Sequence, residues 1–276
     1  MAENMTKDIW NDDDGAKEPP KKRRMLRKFL IFLLVLIAVL GLVLVAAWRD
    51  GTGFDALRRY FAYGTEAVGG EKTVYRYDTD NTNRFARVGT GSLVILSDTS
   101  LRLLGPDGSE VWSANVKMNA PALGQGGGLA VAYDIGGTTL CVADFKGNKT
   151  DIEPAGEIIS ADLSDSGYLA VCSDAAGYKG AVTVYDTSGK AVYVWYSGTG
   201  YLVRAAVSPD GKYLAALCLQ DSGSVVHTFA LTSEDERGSA ACADELFADL
   251  FWRGGKVCCV SPTRLAFFDD NAKPPA

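Results

Sequence analysis

SPDGKYLAA, residues 208–216, combines a glycine-containing turn with a run of apolar residues, and the same pattern occurs four more times in the chain. The counterparts are GTGSLVIL (89–96), GQGGGLAVA (124–132), SDSGYLAV (164–171) and WRGGKVCCV (252–260). Their spacing of about 36 to 45 residues is that of one four-stranded β-propeller blade. Continuous apolar runs are typical of strands that neighbouring sheets cover on both faces. The repeats therefore predict an all-β, β-propeller-like domain.

A second run follows each of these strands and ends in a turn rich in Asp, Gly, Asn and Ser, as expected for tight hairpins. These runs are SLRLLGPDG (100–108), TTLCVADFKGN (138–148), AVTVYDTSGK (181–190), SVVHTFALTSED (224–235) and RLAFFDDNAK (264–273). Outer strands are predicted in SEVWSANV and KAVYVWYS, where Trp112 and Trp195 occupy matching places. Packing on the next blade is favoured over ligand stacking for both rings.

The repeats divide the domain into about five units, at 84–118, 119–155, 156–201, 202–244 and 245–276, of which the last ends after its third strand. Two outcomes stay open. The segment KTVYRYD (72–78) supplies the missing outer strand and closes the ring, or the chain ends within an incomplete propeller. A helical period occurs only in ADELFADLFW (243–252).

An uncharged run of 20 residues, FLIFLLVLIAVLGLVLVAAW (29–48), is long enough to cross a bilayer as a helix. A signal-anchor is favoured over a cleaved signal peptide, whose apolar region would be shorter. Eight basic residues precede the run and three follow it closely, which predicts a single-pass protein with its N terminus in the cytoplasm. Residues 1–28 are then a disordered cytoplasmic tail, 49–71 a juxtamembrane stem and 72–276 an extracytoplasmic domain.

Several segments resemble a family of single-span envelope proteins of Gram-positive bacteria, a domain of unknown function with a propeller-like exterior. They are RRYFAYG (58–64), YDIGGTTL (133–140), GYKGAVTVYD (177–186) and WYSGTGYLVRAAVSPDGKYLAAL (195–217). SPDGKYLA is also similar to TolB-type and WD-repeat blades, and DGSEVW to quinoprotein-type blades. Members of the family usually continue for further blades, so the resemblance implies a C-terminally truncated copy. It implies no catalytic residues.

Composition excludes several kinds of site. The chain contains a single histidine, His227, which removes His-rich metal cages and a robust Ser/His/Asp triad. His227 alternates with Val225 and Phe229 on a predicted strand, and we interpret it as a packed or rim residue. Gly124, Gly126, Gly127 and Gly128 precede a strand rather than a helix, so neither a P-loop nor a dinucleotide-binding fingerprint is predicted.

The cysteines lack zinc spacing and lie mostly within strand patterns, where small buried apolar side chains are expected. They are Cys141, Cys172, Cys218, Cys242, Cys258 and Cys259. A disulfide between Cys172 and Cys218 is permitted in an exported domain. Alignment of their strands places the two on opposite faces, which favours free thiols.

Acidic residues recur near the ends of predicted strands, where they either form turns or line a rim with paired carboxylates for glycosidic chemistry. They are Asp134, Asp144, Asp186, Asp269 and Asp270, and we favour turns. Residues 49–276 carry 20 basic and 28 acidic residues, a net charge of −8 that argues against nucleic-acid binding.

These observations predict a membrane-anchored, extracytoplasmic binding or scaffolding protein with no enzymatic activity, no cofactor and no metal. Its partner is an envelope protein or a small ligand. The alternatives are an extracytoplasmic enzyme, of hydrolase or quinoprotein type, and a truncated copy without activity.

Overall fold

The computed structural model of the protein describes residues 27–39, 41, 83–89 and 91–274. The chain divides into two units, Met1–Glu66 and Ala67–Ala276. In the first unit, residues 27–39 form helix α1 and residue 41 is also helical. No helix within the described residues is both long enough and apolar enough to span a bilayer. Residues 40 and 42–48 of the predicted span, the stem at 49–71 and most of the tail at 1–28 lie outside the described residues.

The described residues of the second unit form antiparallel strands in five sheets. The first sheet contains β1 (Arg84–Val88), β2 (Ser92–Leu96), β3 (Ser100–Leu104) and β4 (Glu110–Asn115), and the second contains β5 (Pro121–Gly126), β6 (Leu129–Asp134), β7 (Leu140–Ala143) and β8 (Lys149–Asp151). The third sheet contains β9 (Ile158–Leu163), β10 (Leu169–Ser173), β11 (Ala181–Tyr185) and β12 (Ala191–Tyr196). The fourth contains β13 (Tyr201–Val207), β14 (Tyr213–Gln220), β15 (Gly223–Ala230) and β16 (Glu236–Ala243), and the fifth contains β17 (Asp249–Arg253), β18 (Lys256–Val260) and β19 (Leu265–Phe268).

Every sheet is a meander in which each strand pairs with the next one along the chain. The five predicted units coincide with the five sheets, and the fifth sheet has three strands among the described residues. Consecutive sheets contact each other through their first strands, β1 with β5, β5 with β9, β9 with β13 and β13 with β17. The segment 72–78, considered for the missing strand, lies outside the described residues.

The core formed by the described strands is divided into four apolar clusters, each between two consecutive sheets. Strand β10 shows how one strand serves two of them. Leu169 and Val171 pack against the second sheet, whereas Ala170 and Cys172 pack against the fourth. Successive side chains of a strand point to opposite faces, so a strand covered on both sides must be apolar at every position. The continuous apolar runs of the sequence have this cause.

The helical period at 243–252 does not produce a helix. Asp244 adopts a positive φ of 61°, and Asp249–Arg253 is strand β17, paired with β18. Phe247 and Leu250, whose spacing suggests a helix, are both buried in the cluster between the fourth and fifth sheets. They reach it from a loop and from an extended strand, because pairing with β18 satisfies the backbone that a helix would otherwise satisfy internally.

All six cysteines are unpaired thiols in the structure. The reason deduced from the alignment is nevertheless wrong, because Cys172 and Cys218 lie in the same apolar cluster. In a stack of sheets, the rear face of one sheet meets the front face of the next. Side chains on opposite faces of two consecutive sheets therefore meet in the same apolar layer. The different faces of Cys172 and Cys218 do not keep the two thiols apart.

Candidate functional site

Three of the acidic residues selected from the sequence form the same turn. Asp144, Asp186 and Asp269 each follow a third strand, and the Oδ1 atom of each accepts the backbone N–H groups of the residues two and four positions later, over 2.8–3.0 Å. The Ser188 hydroxyl and the backbone amides hold the pKa of Asp186 below its usual value. Carboxylates used in this way are turn-forming groups, as we favoured.

The other two acids have different structural roles. Asp134 Oδ1 accepts the backbone N–H groups of Asn119 and Ala120 at 2.8 and 2.6 Å, which holds the connection into β5 against the end of β6. Asp270 Oδ2 lies 2.8 Å from Arg237 Nη2. Asp134, Asp144 and Asp186 thus lie in separate hydrogen-bonding environments, whereas the neighbours Asp269 and Asp270 share Asn271 as a partner. The structure does not bring the five together as paired catalytic carboxylates.

The glycine-rich stretch forms the β5–β6 hairpin. Gly127 and Gly128 occupy its two turn positions with φ of 57° and 77°, a conformation that favours glycine. A Cβ at Gly126 would collide with the carbonyl oxygen of Leu163 in the next sheet. These glycines therefore permit a tight turn and a close approach of two backbones, and a strand follows them as predicted.

His227 packs within an aromatic layer between the third and fourth sheets. Its ring centroid lies 5.2 Å from that of Trp195, which in turn lies 4.8 Å from Phe229. His227 Nδ1 and Glu236 Oε1 are 2.8 Å apart across β15 and β16. Trp112 is likewise partly buried, against the cluster between the first and second sheets. The packing interpretation of both tryptophans and of the histidine is confirmed.

An ionic cluster that the sequence analysis missed joins three consecutive first strands. Arg204 on β13 places Nη2 3.2 Å from Asp162 Oδ1 on β9 and Nε 2.9 Å from Asp249 Oδ1 on β17. Burial raises the pKa of Asp162 to about 6, and the positive charge of Arg204 opposes part of that rise. Consecutive members of this group are more than 40 positions apart in sequence, and they meet because all three occupy first strands of consecutive sheets.

One solvent-exposed apolar surface is associated with the third sheet. We call it the outer-strand surface; it consists of Tyr178, Lys179, Val192, Val194, Tyr196 and Tyr201. The rings of Tyr178 and Tyr196 lie 4.7 Å apart, and Lys179 Nζ lies 2.9 Å from the Tyr201 hydroxyl and 4.4 Å above its ring. The tyrosines and valines are between 44% and 61% exposed. Large apolar side chains grouped in this way are typical of binding surfaces.

A shallow pocket of about 250 Å³ lies in the fourth sheet, between the β13–β14 turn and the β15–β16 turn. Its charged groups are already engaged, because Arg237 lies 4.8 Å above the ring of Tyr213 and pairs with Asp270, while Lys212 pairs with Asp210. The pocket therefore offers a ligand little unpaired charge. Over the described part of the chain, no three His, Cys, Asp or Glu side chains are grouped as metal ligands would be.

Comparisons with known proteins identify the fold but no activity. The profile of a family described as "Family of unknown function (DUF5711)" matches residues 65–274. No curated protein matches the sequence. Among solved structures, Hsv2 of Kluyveromyces lactis is 15% identical with a TM-score of 0.52 and coverage of 72% of this chain and 71% of Hsv2.

Two further structures are similar. Hydrazine synthase of Kuenenia stuttgartiensis is 14% identical, with a TM-score of 0.51 and coverage of 72% and 70%. The Pan2 WD40 domain of Neurospora crassa is 13% identical with a TM-score of 0.48. The alignment covers 67% of this chain and only 60% of that domain. At these identities the likeness shows the fold alone, which is of β-propeller type.

Proposed function

The chain belongs to DUF5711, a family of unknown function, and we propose that it is a membrane-anchored, extracytoplasmic module that binds another protein and catalyses no reaction. The observation that carries the proposal is the outer-strand surface. Val192, Val194 and Tyr196 are exposed on a strand whose intervening residues are buried (Tyr193) or partly buried (Trp195), so the framework fixes their positions. A rigid array of apolar and aromatic side chains needs little ordering when a partner binds.

Charge supports a protein partner over a nucleic acid. Residues 49–276 carry a net charge of −8, and polyanion binding requires a basic surface. The outer-strand surface itself combines tyrosines with one lysine, the amphipathic mixture that is enriched at protein interfaces.

The anchor is part of the proposal. The run at 29–48 is uncharged and apolar, and its described portion in helix α1 presents apolar side chains such as Phe29, Phe32 and Leu34 on its surface. The excess of basic residues before it favours a cytoplasmic N terminus. Attachment to the membrane raises the effective concentration of the module toward envelope partners.

The topology is tested with protease added outside intact cells. The protease is expected to cleave loops of the strand unit and to leave an N-terminal tag intact; protection of both ends would contradict the topology.

The test is crosslinking in cells followed by affinity capture of the tagged full chain. We compare it with the double variant Tyr178→Ser, Tyr196→Ser and with the matched variant Val111→Ser, which changes an equally exposed residue on β4. We expect a partner that is captured with the natural chain and with Val111→Ser but reduced at least tenfold with the double variant. Equal capture by all three proteins would refute binding through this surface.

The absence of catalysis is tested separately. Asp162 is the carboxyl whose pKa is raised most clearly toward neutrality, and a group of this kind is what general acid catalysis requires. We expect no turnover of cell-wall glycans by the purified chain. Turnover that Asp162→Asn abolishes would replace the binding proposal with an enzymatic one.

A further inference from the structure

The outer strand of the third sheet, β12, has a free edge among the described strands. It pairs with β11 on one side and is the end strand of its sheet, as β4, β8 and β16 are of theirs. The three other strands carry features that discourage pairing with a foreign strand: β4 begins with Glu110, β8 has three residues of which two are charged, and β16 contains Glu236 and Arg237. Strand β12, AVYVWY, contains no charged residue.

The two faces of β12 differ in what covers them. Tyr193 and Trp195 pack against the fourth sheet, where both rings approach Phe229. Val192, Val194 and Tyr196 therefore point the other way, toward the side of the second sheet. The outer strand of that sheet, β8, is only Lys149–Asp151, and the three side chains remain 44% to 50% exposed. An added strand on this edge would extend a face that already presents three alternating apolar side chains.

One end of β12 carries an exposed lysine, Lys190, which directly precedes the strand. Lys179, near the other end, is engaged on the side of the fourth sheet, because its backbone N–H donates to the carbonyl of Ser197 at 2.8 Å and its Nζ lies 2.9 Å from the Tyr201 hydroxyl. Pairing of β12 with a second copy of itself would place no acidic side chain opposite Lys190, because the strand contains no charged residue. The carboxylate of Asp186, in the turn before β12, already accepts the backbone N–H groups of Ser188 and Lys190.

From this geometry we propose that β12 is the docking edge for an extended segment of a different protein, with apolar residues at alternate positions and an acidic residue opposite Lys190. The partner adds as a further strand to the third sheet. Its main chain bonds to the free edge, its apolar side chains cover Val192, Val194 and Tyr196, and its terminal carboxylate pairs with Lys190. The inference rests on the proposed binding function and adds the mode of binding and the chemistry of the partner.

The experiment uses the full chain in detergent micelles and two synthetic nonapeptide libraries. Both contain Val, Ile or Tyr at alternate positions; one carries glutamate and the other lysine at each end. Binding is measured by fluorescence anisotropy up to about 1 mM peptide, the weak limit of useful affinity. We expect saturable binding of members of the glutamate library and at least tenfold weaker binding of the lysine library. Methylation of alternate backbone nitrogens of the best peptide is expected to abolish binding, because the main chain can then no longer pair.

Matched variants locate the site. Val194→Lys places a charge in the centre of the exposed face and is expected to weaken the best peptide at least tenfold, whereas Val111→Lys on β4 leaves it unchanged. Phe267→Lys tests β19, the edge of the fifth sheet, where Leu265 and Phe267 are also exposed but Arg264 and Asp269 give mixed charge. Thermal melting of each variant verifies that it remains folded.

Three results would overturn the proposal. They are the absence of binding in both libraries, equal binding by Val194→Lys, and loss of binding in Phe267→Lys alone. Failure here is distinguishable from failure of the binding function. A cellular partner captured equally by the natural chain and by Val194→Lys would remove the edge-pairing mode and leave the scaffold role standing.

Discussion

Substitution of Asp162 by Asn is expected to change how stability depends on pH. Asp162 has a folded-state pKa of about 6, against an ordinary value of 3.8, chiefly because it is buried. A raised pKa means that the folded state binds the proton more tightly than the unfolded state. The resulting stabilisation is complete below about pH 4 and is lost as the pH rises through 6. A difference of one between the folded and unfolded pKa values corresponds to about 1.4 kcal/mol, so the natural chain loses on the order of 3 kcal/mol over this range.

The amide that Asp162→Asn introduces does not titrate, and Arg204 keeps Asp249 as a partner 2.9 Å from its Nε atom. The substitution therefore removes the titration without leaving the guanidinium unpaired. We compare the free energy of unfolding of the natural chain with that of Asp162→Asn at each pH. Between pH 4 and pH 7, the natural chain is expected to lose up to about 3 kcal/mol relative to the variant. Denaturant titrations of both full-length proteins at half-unit pH intervals measure the difference.

Asp186→Asn is the control of opposite sign. The pKa of Asp186 is lowered by the Ser188 hydroxyl and by backbone amides, so its contribution to stability is present at neutral pH and is lost as the pH falls through the lowered value. The two variants are thus expected to differ from the natural chain with opposite pH slopes. Parallel stability curves for Asp162→Asn and the natural chain would refute the assignment of a raised pKa to this carboxyl.

Three further predictions concern packing, backbone and thiols. Leu217→Ala, at a fully buried site between the fourth and fifth sheets, is expected to destabilise the chain by about 2–5 kcal/mol in denaturant titrations, whereas Leu246→Ala at an exposed site changes stability by less than about 0.5 kcal/mol. Gly189→Ala meets only ordinary contacts but imposes a φ of 79° on an L residue, so a loss of about 1 kcal/mol is expected; no change in the melting curve would contradict the left-handed turn. Burial raises the pKa of Cys172 to about 12, so this thiol should resist alkylation at pH 8 until denaturant is added; mass spectrometry that finds it modified in the folded protein would contradict its burial.

The repeat of turn and apolar run was sufficient to predict the five sheets, because each unit carries its own local signals. The turn at 186–190 illustrates this. Asp186 and Gly189 need only residues within four positions of them to close the hairpin, so their role can be predicted from the sequence. The packing roles of Trp112, Trp195 and His227 followed for a similar reason, since each occupies a regular position on a strand.

Contacts between residues of different sheets could not be predicted from the sequence in the same way. Arg204 meets Asp162 and Asp249 across two sheet boundaries, and nothing in their sequence spacing identifies the three as partners. The alignment of Cys172 and Cys218 was correct about their opposite faces but led to the wrong conclusion about their surroundings, because stacking turns opposite faces of neighbouring sheets into one layer. The outer-strand surface was not predicted either. The sequence AVYVWY indicates a strand, but it does not show that the outer strand of the second sheet, β8, is too short to cover it.

The amino-acid sequence is enough to specify strands, turns and the number of units, because hydrogen bonds within a hairpin and the alternation of side chains depend on residues close together in the chain. It also encodes the uncharged run at 29–48 and the asymmetry of basic residues around it. Which faces are buried, which carboxyl acquires a raised pKa and which edge stays open depend on how one sheet stacks on the next. Those properties come from contacts between residues about 40 positions apart, whose partners are set only once the sheets have packed together.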